Sequence, residues 1–272
     1  MIDFSKIGAG NTVDTVLPPR EIFNALPKKA AKLQYPRDVQ SQVWAKWHDR
    51  RNERNLVLKM NTGSGKTVVG LLILKSCLNE NKSPAVYVSP DNYLVQQVMD
   101  AAKELGVEVT DDVNSSRFLS GKSILVINIH KLVNGKSVFG VGDEGSKLKI
   151  SSLIIDDAHA CLETVEDQFT INIPRESNAY SQLHGVFRNA LHQECESKAI
   201  EIEINDPTSY MQVPYWTWQD KISDISKILI NNKKEDCLKW VWPLVKENLK
   251  LSHCVISSSS IEISPHSIPI HM

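Results

Sequence analysis

The octapeptide MNTGSGKT at residues 60–67 constrains the fold of this chain more than any other segment. An apolar run at 56–58 precedes it and a second apolar run at 68–74 follows it, so the predicted order is strand, glycine loop and helix. Glycines let backbone N–H groups turn toward an anion, and the N-terminus of the following helix adds partial positive charge. This order predicts a phosphate-binding loop in which Lys66 reaches the β- and γ-phosphates and Thr67 ligates Mg²⁺.

A second motif, SLIIDDAH at residues 152–159, supplies the acidic half of a nucleotide site. Asp156 ends an apolar strand, and a carboxylate in that position would hold Mg²⁺ on the side opposite Thr67. Asp157 would orient or deprotonate the attacking water, and His159 could sense the γ-phosphate. Acidic pairs at strand ends are common, but this pair follows a phosphate loop with strands between, and that combination is typical of a nucleoside triphosphatase.

Short apolar segments alternate with helical ones through the first part of the chain. This alternation predicts a parallel sheet covered by helices on both faces, which is an α/β fold. Predicted strands are 55–60, 85–89, 123–128 and 152–156, and predicted helices are 66–79, 92–104 and a shorter one from about Asn128. Residues 134–145 are rich in Gly, Lys and Asp and are predicted to form a loop.

Beyond residue 160 the sequence changes character, because glycine becomes rare and helical patterning dominates. Helices are predicted at 178–199, 217–231 and 234–249, with Pro243 bending or ending the last one. Two short strands are predicted in the tail, at 253–256 and 261–263. The predicted organisation is therefore a lead-in (1–34), a nucleotide-binding lobe (35–160), a helical insertion (161–250) and a strand-forming tail (251–272).

Two aromatic clusters, at 215–218 and 240–242, allow two interpretations. They could form a stacking platform for single-stranded bases. They could equally pack a helical segment onto its neighbours. No arginines are interleaved with them, which favours packing.

Charge and cysteine content limit the possible partners and location. The net charge is −1, from 31 basic and 32 acidic residues, so any nucleic-acid binding needs a local groove rather than a global positive field. Five scattered cysteines without a CxxC pair argue against disulfides and structural zinc, and favour a reducing, cytoplasmic location. No run of 18 apolar residues is present, so we expect no membrane span.

The phosphate loop, the DDAH sequence and the upstream residues Arg37 and Gln40 together resemble the first RecA-like lobe of a superfamily-two helicase of the DEAD/DEAH type. In that family the place of Met60 commonly holds a small or apolar residue rather than glycine. The resemblance covers roughly residues 35–160. It implies a RecA-like P-loop NTPase fold, with a parallel sheet, helices on both faces, and a mainly helical insertion and C-terminal segment added to it.

The resemblance also implies an ATP·Mg²⁺ site and assigns residues to it. Gln40 matches the glutamine that reads the adenine edge, and Arg37 matches an arginine on the adenine side. Thr67 and Asp156 match the Mg²⁺ ligands. The implied catalytic residues are Lys66, Asp156, Asp157 and His159, and the implied nucleotide-binding residues are Arg37, Gln40, Thr62, Gly63, Ser64, Gly65, Lys66 and Thr67.

Two further segments resemble motifs that contact the nucleic-acid backbone. Ser89 and the helix that begins near Asn92 would offer N–H and O–H donors to phosphates, and residues 128–132 occupy the place of another such motif. Helix capping after a strand explains the same residues equally well, so both interpretations stay open. The implied partner is single-stranded nucleic acid, with DNA favoured.

Two departures from the family pattern alter the expected activity. Asp157 stands where glutamate is usual, which draws the carboxylate back by about 1.5 Å and would slow hydrolysis without weakening ATP binding. The residues after His159 contain no Ser-Ala-Thr tripeptide, and the only arginines past Asp157 are Arg175 and Arg188. We therefore expect the second RecA-like lobe, which supplies arginine fingers, to be missing from this chain.

The expected function is the ATP-binding lobe of a DNA or RNA helicase or translocase, with weak hydrolysis in the absence of the second lobe. One alternative is the motor portion of an ATP-dependent restriction or defence system. Another is a non-catalytic ATP-gated scaffold. A metabolic kinase is poorly supported, because the sequence contains no arginine-rich lid.

Overall fold

The computed structural model of the 272-residue chain describes residues 17–27, 29–30, 33–140 and 147–266. These residues divide into two compact units. The first unit comprises the described residues up to Ile129 together with Lys149–Cys161. The second comprises the described residues of 130–148 and those from Leu162 onward.

The described residues of the first unit form a four-stranded parallel sheet in the order β2-β3-β1-β4. In β1 and β3 every residue is buried, as expected for strands covered on both faces. The predicted parallel sheet is confirmed, and β2 is a short addition to it. The strands are β1 (Ala85–Ser89), β2 (Val109–Thr110), β3 (Ile124–Asn128) and β4 (Ser152–Ile155).

Four helices share a hydrophobic core with one face of this sheet. Leu71 and Leu72 belong to the same buried cluster as Tyr87 and Val126. Helices predicted at 66–79 and 92–104 are confirmed, and one helix lies within the predicted irregular lead-in, of which residues 1–16 fall outside the described part. The helices are α1 (Pro19–Ala25), α2 (Asp38–Asp49), α3 (Lys66–Asn79) and α4 (Asn92–Leu105), with short α5 (Ser116–Leu119) before β3 and α6 (Ile129–Leu132) after it.

The strand predicted at 55–60 is wrong, because these residues form no helix or strand. Val57 is 97% exposed, so its side chain makes little contact with any core. A strand needs the backbone groups of a neighbouring strand, and apolar content alone does not supply them. Within the described residues β4 pairs only with β1, which leaves β4 at the sheet edge with Leu153 and Ile155 each 43% exposed.

The second unit combines helices with an antiparallel sheet that the sequence predicted only in part. The two tail strands are confirmed as a hairpin, and two strands from earlier in the chain extend it in the order β5-β8-β7-β6. Its described elements, together with the helix α7 (Ala158–Gln168) that follows β4, are β5 (Ile171–Pro174), α8 (Asn178–Glu194), α9 (Glu196–Glu203), β6 (Tyr210–Gln212), α10 (Tyr215–Asn231), α11 (Asp236–Lys239), α12 (Trp242–Val245), β7 (Ser252–Ser257) and β8 (Ser260–Pro265).

Two predicted helices of this unit are interrupted. The helix predicted at 178–199 breaks at Cys195, whose backbone is extended with φ −157° and ψ 99°. The helix predicted at 234–249 separates into α11 and α12, because Pro243 lies in the first turn of α12, where a missing N–H is tolerated. The predicted loop is confirmed over 134–140, whereas 141–146 lie outside the described residues.

The aromatic clusters divide between the two interpretations. Trp218 is buried, stacks on Phe187 with ring centroids 6.1 Å apart, and donates its indole N–H to the carbonyl of Leu249 at 3.0 Å. Trp242 is also buried. The packing interpretation is therefore confirmed for one residue of the cluster at 215–218 and for one residue of the cluster at 240–242. Trp240, in contrast, is exposed. None of the helices in the described part of the chain has the length and apolar character needed to cross a bilayer.

Candidate functional site

The glycine loop forms a tight turn immediately before α3. Ser64 closes it, because its N–H and Oγ both donate to the carbonyl of Asn61, at 3.3 and 2.5 Å. Gly63 and Gly65 have φ angles of +76° and +82°, a left-handed conformation that glycine adopts without strain. Gly65 is the N-cap of α3, so the loop leads directly into the helix N-terminus, where N–H groups and the helix dipole favour an anion.

The start of α2 braces this loop. The side-chain amide of Gln40 donates to the carbonyl of Gly65 at 3.3 Å and accepts from the N–H of Arg37 at 2.9 Å. The guanidinium of Arg37 donates to the carbonyl of Gly63. Gln40 is only 5% exposed, so its amide serves the loop in this structure. A Cβ on Gly65 would displace the Gln40 amide from the carbonyl that it now bonds.

Tyr87 in β1 links the two motifs and was missed by the sequence reasoning. Its hydroxyl donates to Oδ2 of Asp156 at 2.8 Å, and the side chain of Thr67 lies beside it. Burial, followed by the charge and hydrogen bond of Asp156, raises the pKa of the Tyr87 phenol, so it stays protonated and able to donate. One signal pointed to it: a tyrosine inside an apolar strand needs a polar partner for its hydroxyl.

Gly70 explains how the phenol reaches this place. A Cβ at Gly70 would lie 2.7 Å from Cε2 of Tyr87 and 3.5 Å from Cδ1 of Ile154. The absence of a side chain on this turn of α3 therefore lets the helix approach β1 and β4 closely. The close approach places Thr67, one turn earlier in α3, beside the Tyr87 hydroxyl.

The acidic motif forms a turn between β4 and α7. Oδ1 of Asp156 accepts a hydrogen bond from the N–H of Asp157 at 3.0 Å. The N–H of Asp156 donates to the carbonyl of Val88 at 2.9 Å and so continues the hydrogen bonding of the sheet. Asp157 has a φ of +46°, in the left-handed region. Cys161 donates its thiol to the carbonyl of Asp156 at 3.3 Å, and burial, with Asp157 and Asp156, raises its pKa to about 11.

The predicted site residues fall into two groups. Hydrogen bonds connect Arg37 and Gln40 to the glycines of the loop, and Ser64 closes that loop. The phenol of Tyr87 donates to Asp156 and lies beside Thr67. The second group lies on the surface around these contacts and comprises Thr62, Lys66, Asp157 and His159. Lys66 is the first residue of α3, next to the N-cap glycine.

The segments that resemble backbone-contacting motifs contact each other. The amide of Asn128 donates to Oδ1 of Asn92 at 2.7 Å, which ties the end of β3 to the start of α4. Asp91 caps that helix by accepting the N–H of Leu94 at 2.8 Å. Ser89 is fully buried, so its hydroxyl does not face solvent in this structure. These contacts support the capping interpretation for the start of α4.

The residues present fit a magnesium ion bound with a phosphate group. Mg²⁺ takes oxygen ligands and is usually held by one or two protein groups together with phosphates and water. Thr67 and Asp156 supply a hydroxyl and a carboxylate oxygen beside the same phenol. The described residues contain no cluster of three or more His, Cys, Asp or Glu suited to a metal, so phosphate and water would complete the shell.

Comparison with protein families gives one match. The family model of the DEAD/DEAH box helicase matches residues 37–177, which is just over half of the chain. Comparisons with curated proteins and with solved structures give no match. The matched span contains the glycine loop, Tyr87 and the acidic turn, and it confirms the RecA-like α/β fold that the sequence predicted. The chain therefore belongs to the DEAD/DEAH box helicase family.

Proposed function

We propose that this chain is the ATP·Mg²⁺-binding lobe of a helicase or translocase acting on single-stranded nucleic acid. Membership of the family supports an ATP-dependent enzyme of nucleic acids in general terms. One observation supports the specific proposal most strongly: the Tyr87 hydroxyl donates to Asp156 and lies beside the side chain of Thr67. The phosphate loop and the acidic turn thereby converge on one point, as a shared triphosphate site requires.

The residues around the loop would divide the binding of ATP among them. Lys66 would contact the β- and γ-phosphates, while loop N–H groups and the N-terminus of α3 hold the triphosphate. Arg37 and Gln40 fix the loop, and the adenine would lie beside Gln40. Mg²⁺, when bound by Thr67 and Asp156, would neutralise phosphate charge.

Hydrolysis would be slow in this chain by itself. Asp157 and His159 lie exposed at the start of α7, where they would face the attacking water and the γ-phosphate. The aspartate reaches less far than the glutamate usual in the family, and misplacement of about 1 Å in a catalytic group can cost about 100-fold in rate. Arginine fingers would have to come from a second RecA-like lobe.

The proposal is tested by the magnesium dependence of ATP binding. We expect Mg²⁺ to strengthen binding of a fluorescent ATP analogue to the wild-type chain. Asp156→Asn should weaken this Mg²⁺ effect by about tenfold, since removal of a metal-site carboxylate costs at least that much metal affinity. The matched control is Asp167→Asn, an exposed aspartate of α7. Equal Mg²⁺ dependence in the wild-type and Asp156→Asn proteins would overturn the proposal.

Tyr87→Phe should reduce ATP·Mg²⁺ affinity about fivefold. The change removes one hydroxyl that bonds a carboxylate, and such a bond contributes about 1 kcal/mol. Without it, Asp156 loses the donor that orients its carboxylate beside Thr67. The comparison is Tyr93→Phe, which removes the same hydroxyl from an exposed tyrosine of α4 and should leave affinity unchanged. An affinity loss of the same size in both variants would show that Tyr87 does not position the metal ligands.

A second candidate, the non-catalytic ATP-gated scaffold, is favoured by one observation, the aspartate at 157 in a left-handed conformation. Phosphate release measured with and without single-stranded DNA or RNA separates the two candidates. A motor lobe should show some stimulation by the nucleic acid. A scaffold should bind ATP with no phosphate release under either condition.

A further inference from the structure

We propose that the second unit carries a separate binding site for the phosphate backbone of single-stranded nucleic acid. The site is a cavity of about 390 Å³ that we call the lysine pocket. Its walls include the rings of Trp242 and Pro243. The described residues that line it also include five lysines: Lys136, Lys233, Lys234, Lys239 and Lys246.

The loop that carries Lys136 is fitted closely to the rest of the pocket. The N–H of Gly135 donates to the carbonyl of Trp240 at 2.8 Å. A Cβ at Gly135 would lie 2.5 Å from that oxygen and 2.7 Å from Cγ of Pro243, so only glycine allows this approach. Asn134 accepts the N–H of Lys136 at 2.8 Å and donates to the carbonyl of His130 at 2.7 Å, which fixes the turn.

An exposed indole places two of the ammonium groups. The Nζ atoms of Lys136 and Lys239 lie 5.0 and 5.1 Å from the ring centroid of Trp240. These distances fall within cation–π range. Trp240 is 44% exposed, so the ring holds both lysines at the surface while leaving part of itself available to a ligand.

The charge of the pocket indicates an anionic ligand. Among the described residues that line it there is no carboxylate. Asp236 lies 4.0 Å from Lys239, but its side chain is 98% exposed and offers little neutralisation. Glu235 accepts a hydrogen bond from Ser177. The chain as a whole has a net charge of −1, so this positive potential is local.

Two features of the pocket favour single-stranded nucleic acid as its ligand: its charges come from lysines, and its volume is small. Lysines act as point charges that bind phosphates without the bidentate geometry used to read bases. A flexible single strand can bend a nucleotide into a cavity of this size, whereas duplex DNA is stiff over about 150 base pairs. Lysines beside an exposed aromatic ring are also the combination found in grooves for single strands. This site is distinct from the proposed ATP site.

The test is the salt dependence of binding to a labelled oligothymidine, followed by fluorescence anisotropy with the full chain. The variant K136Q/K233Q/K239Q removes three charges from the pocket. The slope of log K against log salt should become shallower by about 2, since each single-strand phosphate contact contributes about 0.7. The control K198Q/K221Q/K250Q removes three exposed lysines outside the lining and should keep the wild-type slope.

A second variant tests the geometry without changing the charge. Gly135→Ala should push the loop away from Trp240, so that Lys136 loses its contact with the ring. Oligothymidine binding should weaken about fivefold, because a cation–π contact contributes about 1 kcal/mol. Circular dichroism checks that each variant is folded, and affinity for the ATP analogue is measured on the same proteins, so failure of the ATP site would be seen separately.

Three outcomes would overturn the proposal. One is the same slope in the pocket variant as in the control variant. Another is tighter binding of duplex than of single-stranded DNA. The third is binding of tripolyphosphate without binding of the oligothymidine, which would make the pocket a site for a small anion.

Discussion

Lys66→Ala is expected to weaken binding of an ATP analogue about 100-fold, because a charged hydrogen bond to phosphate contributes up to about 3 kcal/mol. Lys66 is exposed at the first residue of α3, beside the anion-binding N-terminus, so its removal should leave the fold intact. Isothermal titration calorimetry with a non-hydrolysable analogue measures the change.

The matched control for this substitution is Lys59→Ala. It removes another exposed lysine, seven positions earlier, in the irregular segment that leads to the loop. A general electrostatic effect on the triphosphate would appear in both proteins. Undiminished affinity in Lys66→Ala would require the ATP-binding proposal to be abandoned.

Gly70→Ala is expected to lower the free energy of unfolding by about 2 kcal/mol, which is typical of overpacking in a core. The added methyl group would lie 2.7 Å from the ring of Tyr87, which is buried in the core. The substitution should also reduce ATP·Mg²⁺ affinity, because displacement of the ring moves the hydroxyl away from Thr67 and Asp156. Urea unfolding and analogue titration measure the two effects.

Gly185→Ala provides the comparison. Gly185 lies within α8, is exposed, and a Cβ there would have no atom within 4 Å. Alanine favours a helix over glycine, so this substitution should stabilise the chain by about 0.5–1 kcal/mol. If Gly70→Ala and Gly185→Ala raise the free energy of unfolding by the same amount, the close approach of α3 to Tyr87 does not restrict the residue at position 70.

The sequence predicted the local parts of the site and missed the contacts between them. Glycine, lysine and threonine at 63–67 carry their own conformational and chemical signal, and the structure forms the predicted loop and helix. Tyr87 acquires its role only because Gly70, in another element, admits its ring. No pattern within β1 contains that information, since the contact joins residues from two elements.

The prediction of strands failed where a strand forms because a neighbouring strand is available, rather than because its residues favour an extended backbone. The run at 56–58 is apolar but has no neighbouring strand in the described structure, so it stays irregular. Conversely, β5 and β6 are only four and three residues long, and they form because the hairpin of β7 and β8 offers a partner on each side. The lysine pocket was also hidden in the sequence, because Lys136 lies about a hundred residues before Lys239.

The backbone conformation of Asp157 affects what a substitution by glutamate, the residue expected here from the family pattern, would do. At a φ of +46°, aspartate and asparagine are tolerated better than residues with longer side chains, because a short polar side chain can bond to the local backbone. Glutamate would extend the carboxylate toward the water but would carry a conformational penalty of about 1 kcal/mol. A longer side chain at position 157 would bring the carboxylate closer to the water, whereas a shorter one fits the left-handed backbone with less strain. Aspartate, the residue present here, satisfies the backbone.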